Sequence, residues 1–323
     1  MQTYIGMDLG GTNIRVGMVD VDGGQVSNWA MAPTRSQEGH EAVIGRMAVM
    51  IGDVLRASGV KREQVGGVGV GVPGVLDLDT GRTVFLPNLT GFWRDIPLRD
   101  TLVSLVGLPI ELLNDARSIT YGEWRFGAGR GASTMACVAV GTGIGGGLVV
   151  NGRLHLGIGG EAGELGHQII NFDGPRCSCG NKGCLEAYAS GRAIADLGRR
   201  AVDAGAASTL GEMAGGDGNL ITAELVYQAA LGGDSVARGI LEEVGFYIGI
   251  ALANVCVSIG PTRIVIAGGV AAAGDLLLEP IRRTVRERVK VMPIDQVLIV
   301  PSELGANAGV VGAAAWARFR RES

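Results

Sequence analysis

The sequence predicts an α/β fold made of two related domains. The chain has 323 residues, and because a single hydrophobic core stops growing at roughly 250 to 300 residues, we expect two domains. Short apolar segments alternate with longer segments of helical periodicity, which is the pattern of α/β proteins. A strand, a glycine turn and a second strand occur near residue 10 and again near residue 140. This repeat indicates that the two domains share one architecture.

The elements of the first half follow from apolar runs bounded by turn residues. The turns Gly10-Gly11-Thr12 and Asp22-Gly23-Gly24 divide the first apolar stretch into an antiparallel ribbon of three predicted strands, over residues 4–8, 15–21 and 26–32. Helical spacing and unbroken apolar runs predict the other elements, which are a helix over 38–58, a strand over 67–72, a helix over 96–106 and a strand over 110–114.

The second half repeats the glycine hairpin and then continues with helices that begin at polar residues. Strands are predicted over residues 135–140 and 147–150, with a glycine turn over 141–146 between them. Ser190, Thr222 and Asp234 are residue types that cap helix N-termini, and each precedes a helical segment. The remaining predicted elements are a strand over 263–267, a helix over 275–290, a strand over 297–301 and a helix over 305–320.

Composition excludes two classes of partner. The net charge is -4 and the isoelectric point is near 5.5, so the chain has no basic surface that would bind nucleic acid. No uninterrupted apolar run approaches the ~18 residues of a membrane span. The chain opens with Met1-Gln2-Thr3, without the basic and apolar regions of a secretory leader. We therefore expect a cytoplasmic protein without nucleic-acid or membrane partners, whose cysteines stay reduced.

Three of the five cysteines lie close in sequence to a histidine. Cys177, Cys179 and Cys184 follow His167 within 17 residues, and three thiolates with one imidazole form the closed tetrahedral ligand set of a structural zinc site. The alternative is one disulfide with a third, free thiol. Because carboxylates flank the cluster on both sides, a bound zinc ion would also hold a polar pocket rigid.

The two glycine turns are candidate phosphate sites. Their backbone N–H groups and the hydroxyls of Thr12 and Thr142 can face an anion. Gly141, Gly143 and Gly146 also match the GxGxxG pattern of dinucleotide-binding domains, but the following segment reads as extended, whereas that fingerprint requires a helix. A Walker loop is excluded because no lysine follows a glycine.

Polar residues at the ends of predicted strands complete a candidate phosphoryl-transfer site. Asp115 follows the apolar strand over 110–114 at the edge where ligands of α/β sheets collect, and it either accepts a proton from a substrate hydroxyl or caps the next helix. Asp8 precedes the first glycine turn, where a carboxylate can hold Mg²⁺. Asn88, Glu164 and Glu186 suit a polyhydroxylated ligand.

These residues together resemble the ROK family (repressors, open reading frames and kinases), in particular its bacterial ATP-dependent glucokinases. Residues 8–15 are similar to the first phosphate motif of the family, and residues 141–147 are similar to the second. Residues 164–167, with the three cysteines, are similar to the family signature. The resemblance covers nearly the whole chain.

The resemblance implies an actin-like, ribonuclease-H-like sugar kinase of two α/β domains with a cleft between the lobes. The small domain would comprise residues 1–113 and 305–323, and the large domain, with the zinc motif, residues 114–304. The implied reaction is transfer of the γ-phosphoryl group of ATP to the 6-hydroxyl of glucose, with Mg²⁺ and a structural Zn²⁺. A homodimer or homotetramer is also implied.

The resemblance also implies a role for each motif residue. Asp115 matches the catalytic base, and His167 would be both a zinc ligand and a neighbour of the sugar. The sugar-contacting positions are Asn88, Asn114, Asp115, Glu164, His167 and Glu186. The nucleotide-side positions are Asp8, Gly10, Gly11, Thr12, Arg15, Thr142, Gly143, Gly268 and Gly269. The zinc ligands are His167, Cys177, Cys179 and Cys184.

One residue departs from the family pattern, and several functions stay open. Arg117 stands where the family has an asparagine, and a long guanidinium cannot replace the hydrogen bonds of a short amide. The substrate could be mannose, fructose, allose, N-acetylglucosamine or N-acetylmannosamine instead of glucose, and polyphosphate could replace ATP as donor. A non-catalytic sugar sensor is a further alternative. A repressor is not expected, because the first phosphate motif begins at Asp8 and leaves no room for a helix-turn-helix.

Overall fold

The computed structural model describes residues 3–86, 88–91 and 93–322, and the chain forms two compact units. Unit 1 comprises Met1–Gly131, Gly147–Gly163 and Glu303–Ser323, and unit 2 comprises Ala132–Gly146 and Glu164–Ser302. The predicted boundaries, at 113/114 and 304/305, differ from these. The structure keeps residues 114–131 and 147–163 with unit 1.

Strands and helices alternate along the described chain, as predicted. The strands are β1 (Thr3–Leu9), β2 (Asn13–Asp20), β3 (Gln25–Pro33), β4 (Val65–Val72), β5 (Val75–Asp77), β6 (Arg82–Phe85), β7 (Ile110–Asn114), β8 (Met135–Val140), β9 (Ile144–Val150), β10 (Arg153–Leu154), β11 (Arg263–Ala267) and β12 (Leu298–Pro301). The helices are α1 (His40–Ser58), α2 (Leu98–Val106), α3 (Asp115–Phe126), α4 (Glu186–Ala189), α5 (Gly191–Asp203), α6 (Leu210–Met213), α7 (Ala223–Leu231), α8 (Ser235–Ile259), α9 (Asp275–Arg288) and α10 (Ala308–Glu322).

The repeat seen in the sequence is a repeat of sheet topology. The first sheet has the strand order β3-β2-β1-β4-β7 and the second has the order β10-β9-β8-β11-β12. In the first sheet β1, β2 and β3 are antiparallel neighbours, whereas β1, β4 and β7 run parallel. In the second sheet β8, β11 and β12 also run parallel. Counted among the strands of each sheet in chain order, both sheets therefore have the order third, second, first, fourth, fifth.

Helix α3 belongs to unit 1 because it packs closely on α10. A Cβ atom added to Gly312 would lie 1.7 Å from the carbonyl oxygen of Ser118, and one added to Gly122 would lie 2.4 Å from that of Ala308. Two glycines thus let the backbones of the helices approach more closely than larger residues would allow. The sequence showed α3 as the start of a new segment but gave no signal for this contact, which explains the difference in domain boundaries.

The core of unit 2 includes the long apolar helix α8. Its buried face packs on α9, where a Cβ atom on Gly245 would lie 2.6 Å from the Cβ atom of Pro280. By length and composition alone α8 could cross a membrane, but 61% of its most apolar window is buried inside the structure. Burial of this kind is typical of a core helix.

The predicted strands 110–114, 135–140 and 263–267 coincide with β7, β8 and β11. The predicted helix caps are also confirmed, since the side chains of Ser190, Thr222 and Asp234 accept hydrogen bonds from backbone N–H groups at the starts of α5, α7 and α8. Helix α10 begins later than predicted, at Ala308, after the short 3₁₀ turn Gly305–Asn307.

Asp234 also contributes to the pH dependence of stability. Burial acts to raise the pKa of its carboxyl, but backbone N–H groups of Ala237 and Thr209 and the hydroxyls of Ser208 and Thr209 outweigh it and lower the pKa to about 2. The ordinary value is 3.8, so the stabilisation is fully present above that value and is lost as the pH falls toward 2, and it is worth about 2 kcal/mol.

We expect Asp234→Asn to lower the free energy of unfolding at neutral pH by about 2 kcal/mol, because an amide lacks the charge that these donors solvate. Urea titrations at about pH 7 and about pH 2.5 measure this loss, which should be smaller at the lower pH because the carboxylate is then partly protonated in the folded state. Asp203→Asn, an exposed carboxyl on α5, is the control. Equal losses for the two variants at neutral pH would contradict this role of Asp234.

Candidate functional site

The parallel strands of unit 1 bring two predicted carboxylates to one sheet edge. Asp8 pairs in register with Gly71 of β4, and Gly71 pairs with Leu113 of β7. Because neighbouring strands lie about 4.8 Å apart, the backbone of Asp8 lies roughly 10 Å from that of Leu113. Asp115 follows β7 directly as the first residue of α3. The carboxyl edge of this sheet therefore carries both acidic residues that the sequence singled out.

Asp115 is not the N-cap residue of α3. The N-cap is Asn114, whose side-chain oxygen accepts hydrogen bonds from the backbone N–H groups of Ala116 at 3.0 Å and Arg117 at 3.2 Å. Asp115 is half-buried, and a Cβ atom added to Gly71 would lie 3.5 Å from its Cα atom. Asp115 Oδ1 also accepts a hydrogen bond from the backbone N–H group of Ala116, at 2.8 Å, so its carboxylate adds to the cap that Asn114 provides. The role of Asp115 as a base stays a prediction.

The amide of Asn114 is largely engaged by the protein. Its oxygen accepts a third hydrogen bond, from Arg117 Nη1 at 2.9 Å, and its Nδ2 donates to the carbonyl oxygen of Gly74 at 3.0 Å. The second hydrogen of Nδ2 is the donor that a sugar hydroxyl could use. The predicted sugar contact of Asn114 stays a prediction, with this one N–H group as its means.

The first glycine turn is closed by its own backbone. Gly10 N donates to Asn13 O at 2.9 Å, and the Thr34 hydroxyl donates to Gly10 O at 2.6 Å. A Cβ atom on Gly11 would lie 3.2 Å from the carbonyl oxygen of Asn88. The predicted phosphate-binding turn and the predicted sugar-contacting residue Asn88 are therefore neighbours. Gly11, Thr12 and Asn88 are exposed and therefore accessible to a ligand.

Asp8 lies at the base of this turn. It is 9% exposed, and its Oδ2 atom accepts a hydrogen bond from Arg15 Nη1 at 3.3 Å. Burial raises the pKa of the Asp8 carboxyl, while the neighbouring Arg15 guanidinium lowers it in part. Mg²⁺ binds one or two carboxylates together with phosphate oxygens, so a single carboxylate beside a phosphate turn fits that ion.

The second glycine turn packs on Glu186. Gly141 N donates to Gly143 O at 2.9 Å, and Glu186 Oε2 accepts a hydrogen bond from Ile144 N at 2.8 Å. A Cβ atom on Gly143 would lie 2.4 Å from the same carboxylate oxygen, so glycine is required for this approach. The other oxygen of Glu186 accepts a hydrogen bond from Ser178 Oγ at 3.0 Å. Glu186 therefore joins the second turn to the cysteine loop.

Beside the second turn lies a cavity of about 510 Å³ within unit 2. Thr142 and Gly269, two of the predicted nucleotide residues, line it together with Thr222, Glu224 and Tyr227. The N-termini of α5 and α7 both reach the cavity, because Gly191 and Ala223 also line it. Helix N-termini favour bound anions, so the cavity suits a phosphorylated ligand with an apolar part. The sequence identified Thr222 only as a cap and missed Glu224 and Tyr227.

Gly268 begins the loop that lines one side of this cavity. Its φ is 87°, and a Cβ atom would lie 2.3 Å from the carbonyl oxygen of Val140. Only glycine fits at this position, because φ is in the left-handed region and the neighbouring strand is in contact. Gly268 is thus a turn residue whose neighbour Gly269 lines the cavity.

The cysteine cluster forms as predicted. The ligand atoms of His167, Cys177, Cys179 and Cys184 all lie within 4.8 Å of one another. Cys177 Sγ lies 3.7 Å from His167 Nδ1, and Cys179 Sγ lies 3.7 Å from Cys184 Sγ. A tetrahedron with zinc–sulfur bonds of about 2.3 Å has edges of about 3.8 Å, so these separations fit zinc. Cys177, Cys179 and Cys184 form no disulfide in the structure, so the disulfide alternative does not describe this cluster.

The thiols of the cluster would have to lose protons in order to bind zinc. Burial, together with the neighbouring Cys179 and Cys177, raises the pKa of the Cys184 thiol to about 12. Burial likewise raises the pKa of Cys177, whereas the backbone N–H group of Asn181 and the adjacent thiols lower that of Cys179 against the effect of burial. Zinc binds thiolates, so binding would release protons and its affinity would fall at low pH.

His167 has its two nitrogen atoms in different surroundings. Nδ1 belongs to the cysteine cluster, and Nε2 lies 4.0 Å from Glu164 Oε2. The 3₁₀ turn Leu165–His167 is held in place by Gly166, where a Cβ atom would lie 2.0 Å from the carbonyl oxygen of Ile144. This geometry brings the predicted sugar-contacting residues Glu164 and His167 together. It directs Nε2 of His167 away from the cysteine cluster.

The site residues predicted from sequence thus fall into two groups, each brought together within its own unit. Unit 1 assembles Asp8, Gly10, Gly11, Thr12, Arg15, Asn88, Asn114 and Asp115. Unit 2 assembles Thr142, Gly143, Glu164, His167, Cys177, Cys179, Cys184, Glu186, Gly268 and Gly269.

The chain is similar to known proteins over nearly its whole length. The family model described as ROK family matches residues 4–320. A glucokinase of Halalkalibacterium halodurans is 36% identical over 310 residues, which are 96% of this chain and 93% of the relative. A putative xylose repressor of a Caldicellulosiruptor species is 32% identical, covering 96% of this chain and 77% of the repressor.

A solved structure extends the agreement to the fold. The crystal structure of a ROK family glucokinase from Streptomyces griseus in complex with glucose and AMPPNP matches with a TM-score of 0.87 at 33% identity, covering 98% of this chain and 99% of that chain. The actin-like, ribonuclease-H-like class predicted from the sequence is confirmed by this match together with the repeated strand order.

Proposed function

We propose that this chain, which belongs to the ROK family, is an ATP-dependent kinase that phosphorylates glucose at its 6-hydroxyl. The observation that carries the proposal is the position of Asp115 at the carboxyl edge of the first sheet, on the same edge as Asp8 and the turn Gly10-Gly11-Thr12. A proton acceptor next to a phosphate turn is what transfer of a phosphoryl group to a hydroxyl requires.

In this proposal ATP binds with its adenosine in the cavity of unit 2 and its phosphates toward the glycine turns. The apolar lining from Ala273, Ile221 and Tyr227 suits a base and ribose, and the exposed Thr142 presents a hydroxyl to the phosphates. The backbone N–H groups of both turns stabilise negative charge on the transferring group. When bound at Asp8, Mg²⁺ supplies further neutralisation of the phosphate charge.

Glucose is oriented by carboxylates and amides from both groups of residues. The donors and acceptors proposed to contact its hydroxyls are Asn88, Asn114, Asp115, Glu164, His167 and Glu186. Asp115 accepts the proton of the 6-hydroxyl as the oxygen attacks the γ-phosphorus in line with the leaving ADP. Such general base catalysis contributes typically about 10²- to 10⁴-fold to the rate.

The proposed Zn²⁺ site is structural and supports this arrangement through His167 and the loop of residues 177–184. The second imidazole nitrogen stays available to a sugar hydroxyl or to Glu164. Because Ser178 and Ile144 both donate to Glu186, the loop between the cysteines also fixes the orientation of that carboxylate. We further propose that the protein acts in the cytoplasm as a homodimer or homotetramer.

A second candidate function is sugar sensing without turnover, which the 32% identity to a xylose repressor favours. A further alternative is another hexose or an N-acylhexosamine as substrate. Both alternatives keep the same sugar-contacting residues and differ in whether a phosphoryl group is transferred and to which sugar.

The proposal is tested by kcat/KM for glucose, mannose, fructose, allose, N-acetylglucosamine and N-acetylmannosamine, with ATP and with polyphosphate as donors. We expect glucose with ATP to give the highest value, with a factor of roughly five to more than a hundred over each epimer, because one unpaired buried polar group costs about 1 to 3 kcal/mol. A higher value for any other sugar would overturn the choice of glucose. Binding without turnover for every sugar would favour the sensor.

A further inference from the structure

Arg117 is the largest fully buried side chain among the described residues. It is 1% exposed and lies in the first turn of α3, two residues after Asp115. Its guanidinium makes three directed hydrogen bonds: Nη1 donates to Asn114 Oδ1 at 2.9 Å, Nε donates to Ala162 O at 2.9 Å, and Nη2 donates to Glu161 O at 2.6 Å. One side chain thus holds both the cap of α3 and a distant backbone segment.

The segment that Arg117 holds is where the chain leaves unit 1. Residues 147–163 belong to unit 1, and Glu164 is the first residue of the following part of unit 2. Gly157, Gly159, Gly160 and Gly163 all have positive φ values between 63° and 97°, so this segment is rich in residues of low conformational preference. Ile158 in the same segment is 96% exposed and contributes no core packing.

Among the described residues, few other hydrogen bonds hold residues 157–163 in place. The backbone bonds of these residues are short-range, with Ala162 N donating to Leu156 O and Glu161 N donating to Ile158 O. A planar guanidinium with donors in a rigid fork can hold two successive carbonyl groups in one orientation, which an ammonium on a flexible stem cannot. The directed hydrogen bonds compensate the free-energy cost of burying so large a cation. That compensation is reduced if one of the donors is removed.

We infer that Arg117 is a positioning residue: it locks the Asn114–Asp115 segment to the carbonyl groups of Glu161 and Ala162, and thereby fixes the segment that leads into Glu164. The catalytic consequence rests on the proposed function, in which Asp115 and Glu164 contact one sugar. Because Arg117 is almost completely buried, it acts through the two segments that it joins.

The first test is Arg117→Lys, with Glu123→Gln as the matched control. Glu123 is also fully buried on α3, but it binds the backbone N–H groups of Ala128, Glu303 and Leu304 at the far end of the helix. Both variants should lower the midpoint of thermal unfolding. We expect Arg117→Lys to lower kcat by about 10- to 100-fold, because misplacement of a catalytic group by about 1 Å costs up to 10²-fold.

Separate measurement of kcat and of KM for ATP distinguishes a positioning role of Arg117 from a general loss of stability. The nucleotide cavity is built from unit 2 alone, so KM for ATP should change by less than about twofold in Arg117→Lys. In Glu123→Gln the value of kcat per folded molecule should stay within about twofold of the wild type. A wild-type kcat in Arg117→Lys, or equal losses of kcat in both variants, would overturn the inference.

Hydrogen exchange tests the same inference without reference to turnover. In the wild-type protein, the amides of Glu161 and Ala162 should exchange at least about tenfold more slowly than unprotected amides of the same sequence, and Arg117→Lys should remove that protection. If the wild-type protein phosphorylates no sugar, the proposed function fails while this measurement still decides the role of Arg117. Fast exchange of both amides in the wild-type protein would overturn the inference even if Arg117→Lys does not fold.

Discussion

Replacing Asp115 with asparagine is expected to lower kcat for glucose phosphorylation by about 10²- to 10⁴-fold, because an amide cannot accept the proton of the attacking hydroxyl. Glucose binding should persist, since the amide keeps the size and hydrogen-bonding capacity of the side chain. The fold should also persist, because Asn114 caps α3 and the new amide keeps an oxygen that can accept the hydrogen bond of Ala116 N. Turnover is measured by coupled ADP release, and binding is measured by calorimetry.

The control for this substitution is Asp100→Asn. Asp100 is an exposed carboxylate in the first turn of α2, as Asp115 is in the first turn of α3. Its replacement should leave kcat within about twofold of the wild-type value, because it changes the interaction with the helix dipole and nothing at the site. If Asp115→Asn is folded, binds glucose and retains near wild-type kcat, Asp115 is not the base.

Removal of a zinc ligand is the second large effect that we expect. Structural zinc contributes on the order of 10 kcal/mol in small Cys/His sites, and here the cluster is continuous with Glu186 through Ser178 and with Glu164 through His167. Cys177→Ala should abolish stoichiometric zinc binding and lower kcat/KM for glucose by at least about 10²-fold. Elemental analysis and kinetics on the same preparation measure both quantities.

Cys256→Ala is the matched control for the cysteine substitution. Cys256 is also a buried free thiol, but it lies within α8 and outside the cluster. This variant should keep one zinc ion per chain, and its kcat/KM should follow that of the wild-type protein. Protein purified without chelator that contains no zinc but phosphorylates glucose at full rate would show that the metal has no part in the site.

Much of the fold was predictable from local sequence signals. Strands β7, β8 and β11 are short apolar runs bounded by glycine, proline or polar residues, and their limits are set by those neighbours. Ser190, Thr222 and Asp234 define helix starts because each side chain satisfies backbone N–H groups within three residues. The cysteine cluster was predictable for a similar reason, since ligands close in sequence need only one loop to meet.

What the sequence did not reveal depends on contacts between distant residues. The assignment of α3 to unit 1 follows from the contact of Gly122 with Gly312, which are 190 positions apart in the chain numbering. Glu224 and Tyr227 line the cavity only because α7 approaches the turn at Gly141. No local pattern encodes either approach.

Arg117 illustrates the same limit within the site. From the sequence it was a departure that left the hydrogen bonds around Asp115 in doubt, because an arginine is too long to act as an asparagine does. In the structure, the length of the Arg117 side chain lets its guanidinium reach the carbonyl groups of Glu161 and Ala162 while it also donates a hydrogen bond to Asn114. The partners lie more than forty residues away and carry no side-chain signal.

The most direct measurement of the central claim is the product formed from glucose and ATP by the zinc-containing wild-type protein. Phosphorus and proton NMR of the reaction mixture should show one ADP for each glucose consumed, with the new phosphate ester on the 6-oxygen. ADP without a sugar phosphate, a phosphate on another oxygen, or no reaction while glucose binds would contradict the account.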